Sequence, residues 1–190
     1  MSGVRLLVCS DERQAALPQR GETFGERLSN AFDDARRLGY RQIVAVGTDS
    51  PGLGRRHLEA AFARLTTHDV VLGRASDGGV YLIGTRSEPA PLLRGVPWRT
   101  GRVCARLAAN AGGEPAYLDD RLADVDAHRD LPRLRHDPTL EPATTLLIER
   151  LLARAPHGRA DQRSAPPRHR SLPRLSLRGP PVSPVIPSIV

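Results

Sequence analysis

Three short stretches of this chain carry carboxylates where they could do chemistry. In the first, Gln42-Ile43-Val44-Ala45-Val46-Gly47-Thr48-Asp49 runs straight into Ser50-Pro51. The apolar run Ile43 to Val46 is too short for a helix and ends in an acid and a proline, which predicts a buried parallel strand with Asp49 at its carboxyl edge. Ligands of open α/β sheets bind outside that edge, where a carboxylate can hold a hard cation against a phosphate. An Asx turn ahead of Pro51 would use the same residue. In the second stretch, Asp77-Gly78-Gly79 interrupts two extended apolar runs. The glycines allow left-handed backbone and close approach to a ligand, and a plain hairpin turn would need the same residues. The third stretch is Leu122-Ala123-Asp124-Val125-Asp126. Acids two apart in an extended segment point to opposite faces, so only one of Asp124 and Asp126 could share a metal with Asp49.

The elements that must position these groups follow from hydrophobic spacing. Val4 to Val8 predicts the first strand, and the polar Asp11 to Arg20 a loop. Thr23 followed three residues later by Glu26 is a capping-box spacing. Phe24, Leu28, Phe32 and Ala35 then recur at helical spacing, and Gly39 supplies a left-handed stop. After the strand at Gln42 to Thr48, a second helix at about Arg55 to Leu65 buries Leu58, Ala61, Phe62 and Leu65. Val70 to Leu72 and Val80 to Gly84 read as strands. Thr100 reads as the N-cap of a helix over about Gly101 to Asn110, with Trp98 as a packing anchor. Tyr117-Leu118 ends a short strand, Asp130 reads as a helix cap before Leu131, and a last helix at about Ala143 to Ala155 should pack on the sheet.

Composition narrows the function classes. The chain of 190 residues is 39% hydrophobic, enough for one domain with one modest core. Residues 156–190 hold six arginines and one acid, so most of the net charge of +7 sits there and the rest of the chain is nearly neutral. That body lacks a basic footprint, and three Phe, three Tyr and one Trp offer few stacking platforms, so nucleic acid is not an expected partner. Cys9 and Cys104 form no metal pattern and predict free thiols in a reducing cytoplasm. No apolar stretch reaches membrane-spanning length, so a membrane is not an expected partner either. The Pro- and Arg-rich residues 156–190 have no apolar period and predict a disordered tail. Zinc sites, hydrolytic triads, a Walker loop and a kinase core all lack their required residues.

Taken in order, these motifs resemble a known family. The carriers are Gln19-x-Gly21-x-x-x-Gly25-x-Arg27, Gly47-Thr48-Asp49-Ser50-Pro51-x-Leu53, Val70-Val71-Leu72-Gly73-x-Ala75-x-Asp77-Gly78-Gly79-x-Tyr81-Leu82-Ile83-Gly84, Trp98-x-Thr100 and Asp124-Val125-Asp126-x-x-x-Asp130-Leu131. Together, over about Leu6 to Leu134, they resemble the GT-A-fold transferases associated with radical-SAM and selenium-domain proteins, some labelled arsenosugar-biosynthesis glycosyltransferases.

The resemblance implies a three-layer α/β/α, Rossmann-like GT-A fold over residues 1–155. It implies a metal-dependent glycosyltransferase that uses a nucleotide-diphospho-sugar donor. A nucleotidyltransferase of the same fold is an alternative, as is an inactive remnant serving as a binding module. Mg²⁺ or Mn²⁺ would be held by Asp49 with Asp126 or Asp124. Asp77 would be the catalytic group, with Gly78 and Gly79 lining the substrate side. Gln19, Gly21 and Arg27 would face the donor, and Thr100 the acceptor or a phosphate. The chain departs from the family in several places. It lacks the opening strand and the loop ending in Lys-Thr-Arg-Leu, so it reads as beginning at the second strand. Arg74 stands in place of proline, Val80 in place of an aromatic residue, and Ala127 in place of threonine.

Overall fold

The computed structural model describes residues 4–10, 15–125, 128–137, 140–154 and 185–188. Two very short strands, β1 (Cys9–Ser10) and β2 (Leu17–Pro18), pair in parallel apart from the main sheet. Helix α1 (Phe24–Arg37) leads to β3 (Gln42–Val46), and α2 (Arg55–Arg64) leads to β4 (Val70–Arg74). Strand β5 (Val80–Thr85) returns as a hairpin, followed by α3 (Pro89–Leu93), α4 (Val103–Asn110) and β6 (Ala116–Tyr117). A 3₁₀ turn at His128–Asp130 opens α5 (Leu131–Leu134), then come α6 (Pro142–Arg154) and β7 (Val185–Ser188).

The main sheet is mixed, in the order β6-β4-β5-β3-β7. Among the described strands of this sheet only β4 and β6 pair in parallel; β3 lies antiparallel to both of its neighbours. The expectation of parallel neighbours for β3 therefore fails. A strand buried on both faces has the same continuous apolar sequence in either orientation, and here the return strand β5 inserts between β3 and β4. β3 and β4 still run in the same direction, so Asp49 and Asp77 leave the sheet at the same edge. With strands about 4.8 Å apart, their exits are separated by roughly 10 Å.

Burial follows the alternation of side chains along the strands. Ile43, Ala45, Val70, Leu72 and Ile83 join Leu28, Phe32, Leu92 and Leu107 under α1, α3 and α4. Val44, Val46, Val71 and Leu82 join Ala61, Phe62 and Leu65 under α2. The result is a three-layer α/β/α arrangement in which each fully buried Val, Leu, Ile or Phe contributes about 1.5–3 kcal/mol. The capping box at α1 forms: Thr23 Oγ1 accepts from the Glu26 N–H at 3.2 Å, and the Glu26 carboxylate accepts from the N–H groups of Thr23 and Glu22. Those backbone donors hold the Glu26 carboxyl below its ordinary range. Gly39 ends the helix at φ +95°, in the left-handed region that glycine tolerates.

Four expectations change. The stretch expected as a loop contains β2, because the Leu17 N–H donates to Val8 O and the Gln19 N–H to Ser10 O. Asp130 makes no side-chain cap for α5 and sits in right-handed backbone of the preceding turn. The last helix does not bury its apolar face on the sheet: Ile148 clusters with Leu131 and Leu134, whereas Leu146, Leu147 and Leu151 are exposed. The first strand, expected at Val4 to Val8, lies at Cys9–Ser10 instead. Of the tail residues 156–190, Val185–Ser188 pair with β3 as a strand, and the rest lie outside the described residues.

Candidate functional site at the carboxyl edge of the sheet

The segment after β6 runs along the carboxyl edge and is tied there by backbone bonds. Leu122 bridges Ala75 at the exit of β4, with the Ser76 N–H donating to Leu122 O at 2.9 Å. Three residues later the Val125 N–H donates to Asp49 O at 2.8 Å, at the exit of β3. The same crossing brings Asp124 to Ser50, whose hydroxyl donates to Asp124 Oδ1 at 2.6 Å. Ser50 is buried, only 4% exposed, and an unpaired hydroxyl there would be costly. Acids from two distant segments, Asp49 and Asp124, thus share one rim. Asp126 lies outside the described residues.

Asp49 itself is exposed, and its carboxylate has no hydrogen-bond or ion partner among the described residues. A Cβ at Gly47 would collide with Asp49 Oδ1, so a glycine leaves room for the acid to fold back over the strand end. This donor set suits a hard divalent cation. Mg²⁺ is usually held by one or two carboxylates with substrate phosphates and water completing the shell, not by an all-protein cage. Among the described residues no three His, Cys, Asp or Glu side chains gather as a cluster that could hold a metal by itself.

The exit of β4 is built differently. Asp77 is exposed, but its Oδ1 accepts from the Gly79 N–H at 2.8 Å and closes its own turn. Gly78 has φ +91°, and a Cβ there would collide with the Gly101 carbonyl. Its own carbonyl accepts from the Cys104 N–H at 3.1 Å. The close approach that Gly78 permits is therefore to the start of α4. Thr100 donates its hydroxyl to Pro97 O at 2.7 Å and accepts from the Arg102 N–H at 3.3 Å. It holds a turn before α4, which begins at Val103, later than expected. Arg99 beside it has φ +65°, an uncommon conformation for a residue with a Cβ.

Gln19, Gly21 and Arg27 gather where β2 gives way to α1. Gly21 has φ +122°, and a Cβ there would meet Glu26 Cβ at 2.7 Å. Arg27 Nη1 donates to Glu22 O at 3.1 Å, while Arg27 Nε and Gln19 Nε2 are buried atoms without a partner. Because α1 leads back to the start of β3, its N-terminal end lies at the same end of the sheet as Asp49. Trp98 packs edge-on to Phe24 with centroids 5.0 Å apart, and a Cβ at Gly25 would meet its Nε1 at 2.6 Å. Trp98 is thus a packing residue, as expected. Beside it a shallow groove of about 520 Å³ runs between α1 and α3, lined by Gly25, Ser29, Leu93 and Trp98 and not by the acids of the rim.

Sequence reasoning passed over two features. One is Ser50, signalled only by its place between the exit acid and a proline. The other is buried His57, whose Nδ1 accepts from the Gly54 N–H at 2.9 Å, leaving Nε2 to donate to Asp120 Oδ2 at 3.0 Å. Tyr81 donates to Asp120 O at 3.3 Å, and burial together with the Asp120 charge pushes its phenol up to about 12. This network anchors the start of α2 to the segment that goes on to Leu122 and Asp124.

Comparisons with known proteins agree with this architecture. No curated protein matches the chain. The profile of a family described as an uncharacterized protein conserved in bacteria (DUF2064) matches residues 9–100. A crystal structure from Desulfovibrio desulfuricans G20, provisionally assigned as a nucleotide-diphospho-sugar transferase, is similar at a TM-score of 0.58 and 28% identity. The match covers 70% of this chain, which spans 60% of the length of that protein. No helix among the described residues is long and apolar enough to cross a membrane. The chain is a mixed α/β protein whose fold is similar to that of a nucleotide-diphospho-sugar transferase structure, a GT-A-like fold.

Proposed function

We propose that the rim of the sheet is the site of a metal-dependent transferase acting on a nucleotide-diphospho-sugar donor. The observation that carries this reading is the union of Asp49-Ser50 with Asp124-Val125 by two hydrogen bonds, 2.6 and 2.8 Å long, at the carboxyl edge. The structural likeness to a protein assigned to that class supports it.

Asp49 offers an exposed carboxylate to Mg²⁺ or Mn²⁺, with Asp124 or Asp126 as the second acid. When bound, the ion would neutralise charge that builds on the leaving diphosphate. Ser50 orients Asp124 by donating its hydroxyl to Oδ1 at 2.6 Å. Gln19 and Arg27 present buried N–H groups without partners, suited to oxygens of the donor, and Gly21 shapes the backbone between them. Asp77 stands across the rim as the candidate catalytic group, with Oδ1 held by its own turn at Gly78 and Gly79. The turn of Thr100 lies against that loop on the acceptor side.

Thermal unfolding with UDP or GDP, with and without Mn²⁺, tests this reading. We expect an upward shift in Tm only when nucleotide and metal are both present, and its loss in Asp49→Ala. A shift that needs no metal, or one that survives in Asp49→Ala, would overturn it. Turnover of a nucleotide-diphospho-sugar should release nucleoside diphosphate; release of pyrophosphate from a nucleoside triphosphate with a phosphorylated acceptor would mark nucleotidyl transfer instead.

A further inference from the structure

Strand β3 has the sequence and burial of an interior strand. Ile43 and Ala45 are buried in one core layer, Val44 and Val46 in the other, and none is more than 7% exposed. An edge strand of that kind is unusual, because apolar faces beside a row of unpaired N–H and C=O groups form a template for another strand. One edge of β3 is held by β5 through Ile43 to Val46. Among the described residues the other edge is held by four residues distant in sequence, paired as Gln42 with Ser188, Ile43 with Pro187, Val44 with Ile186 and Ala45 with Val185.

The occupant of that edge is a weak one. β7 is short, four residues against the five of β3. Residues 155–184 separate it from α6, so its pairing is non-local and gains nothing from a tight turn. Its outer edge pairs with no other strand among the described residues. A demanding acceptor edge filled by a short, proline-containing strand is the arrangement used for peptide recognition by strand addition, in which backbone bonds supply affinity.

We propose that the outer edge of β3 is a strand-binding site, and that its resident occupant is the chain's own segment Val185–Ser188, docked antiparallel in cis. The ligand class is an extended apolar peptide, and the same sequence supplied in trans takes the same place. This proposal stands apart from the transferase reading, since it concerns the backbone of β3 and not the acids of the rim.

Hydrogen exchange on the full chain and on a variant ending at Pro184 tests it. The amides of β3 that face β7, alternate residues over Gln42–Ala45, should exchange about tenfold faster or more in the shortened chain while its far-UV circular dichroism is retained. A synthetic peptide of residues 182–190 should restore their protection when added at about millimolar concentration, the range of effective concentrations that tethering provides. An Ile186→Pro version of the peptide, which removes an N–H, should not restore it. Unchanged exchange in the shortened chain, or equal protection by the proline peptide, would overturn the proposal. A full-chain variant covers the case in which the shortened protein fails to fold. Gln42→Cys with Ser188→Cys, made in a Cys104→Ser background, joins a cross-strand pair whose spacing of about 4.5–5.5 Å suits a disulfide. Oxidation should yield a monomer with an internal disulfide; a disulfide between chains, or persistent free thiols, would overturn docking in cis.

Discussion

The exits of β3 and β4 place an aspartate at the same edge of one sheet, yet the chain treats them differently. At β4 the Asp77 carboxylate closes its own turn, Gly78 makes room for the Gly101 carbonyl, and Thr100 gives its hydroxyl to Pro97. At β3 only the carbonyl of Asp49 is used internally, and the carboxylate stays exposed and unpaired among the described residues. Two loops with similar local chemistry are thus set apart by where their hydrogen bonds end. An oxygen bonded within its own loop, as Asp77 Oδ1 is, fixes the geometry of that loop, while a carboxylate left facing outward on a rigid support is available whole to a ligand.

The contrast can be broken by substitution, starting from the largest expected effect. Asp49→Ala should cut transferase turnover by about 100- to 1,000-fold, as loss of one group that stabilises developing charge does, with Tm nearly unchanged; a normal rate with a low Tm would reverse the roles of the two exits. Gly78→Ala should act the other way. Left-handed backbone and the clash with Gly101 predict a loss of about 2–4 kcal/mol in urea unfolding, whereas unaltered stability would mean that the loop has room to spare. Ser50→Ala removes the hydroxyl that orients Asp124 and should weaken Mn²⁺ binding about 10- to 100-fold by calorimetry. An affinity equal to that of the unchanged chain would disconnect Asp124 from the cation. Thr100→Val should show the smallest effect, about 1 kcal/mol of stability and no change in nucleotide-dependent Tm shifts. A selective loss of those shifts would put Thr100 on the donor side instead of the acceptor side.

Tyr81 adds a pH signature to the closed part of the molecule. Its phenol ionises at about 12 in the folded state, above its ordinary value of 10.0. The unfolded chain therefore releases this proton first as pH rises. The stability tied to the neutral phenol is complete below pH 10 and is lost progressively between pH 10 and 12. Unfolding curves across that window should lose this component in Tyr81→Phe.

Much of the fold was legible in the sequence because it rests on local rules. The capping box at Thr23 and Glu26, the stop at Gly39, the apolar run of β3 and the hairpin around Asp77 each depend on neighbours a few residues away, and each forms. The carboxylates of the rim could also be picked out, since an acid directly after a buried strand has few places to go. Burial of His57 and Ser50 could not be read, because their partners lie 63 and 74 residues away in the chain.

The sequence by itself determined the longer helices and the strands Gln42–Val46, Val70–Arg74 and Val80–Thr85, which of their faces are apolar, and which acids lie at strand ends. Only the tertiary structure decided that β5 separates β3 from β4, that Asp124 meets Ser50, that Thr100 serves its own turn, and that Val185–Ser188 fill the edge of β3. The physical reason is range. Side-chain periodicity and capping act over a few residues, whereas strand order and polar pairing depend on which distant backbone groups remain unsatisfied when the layers close.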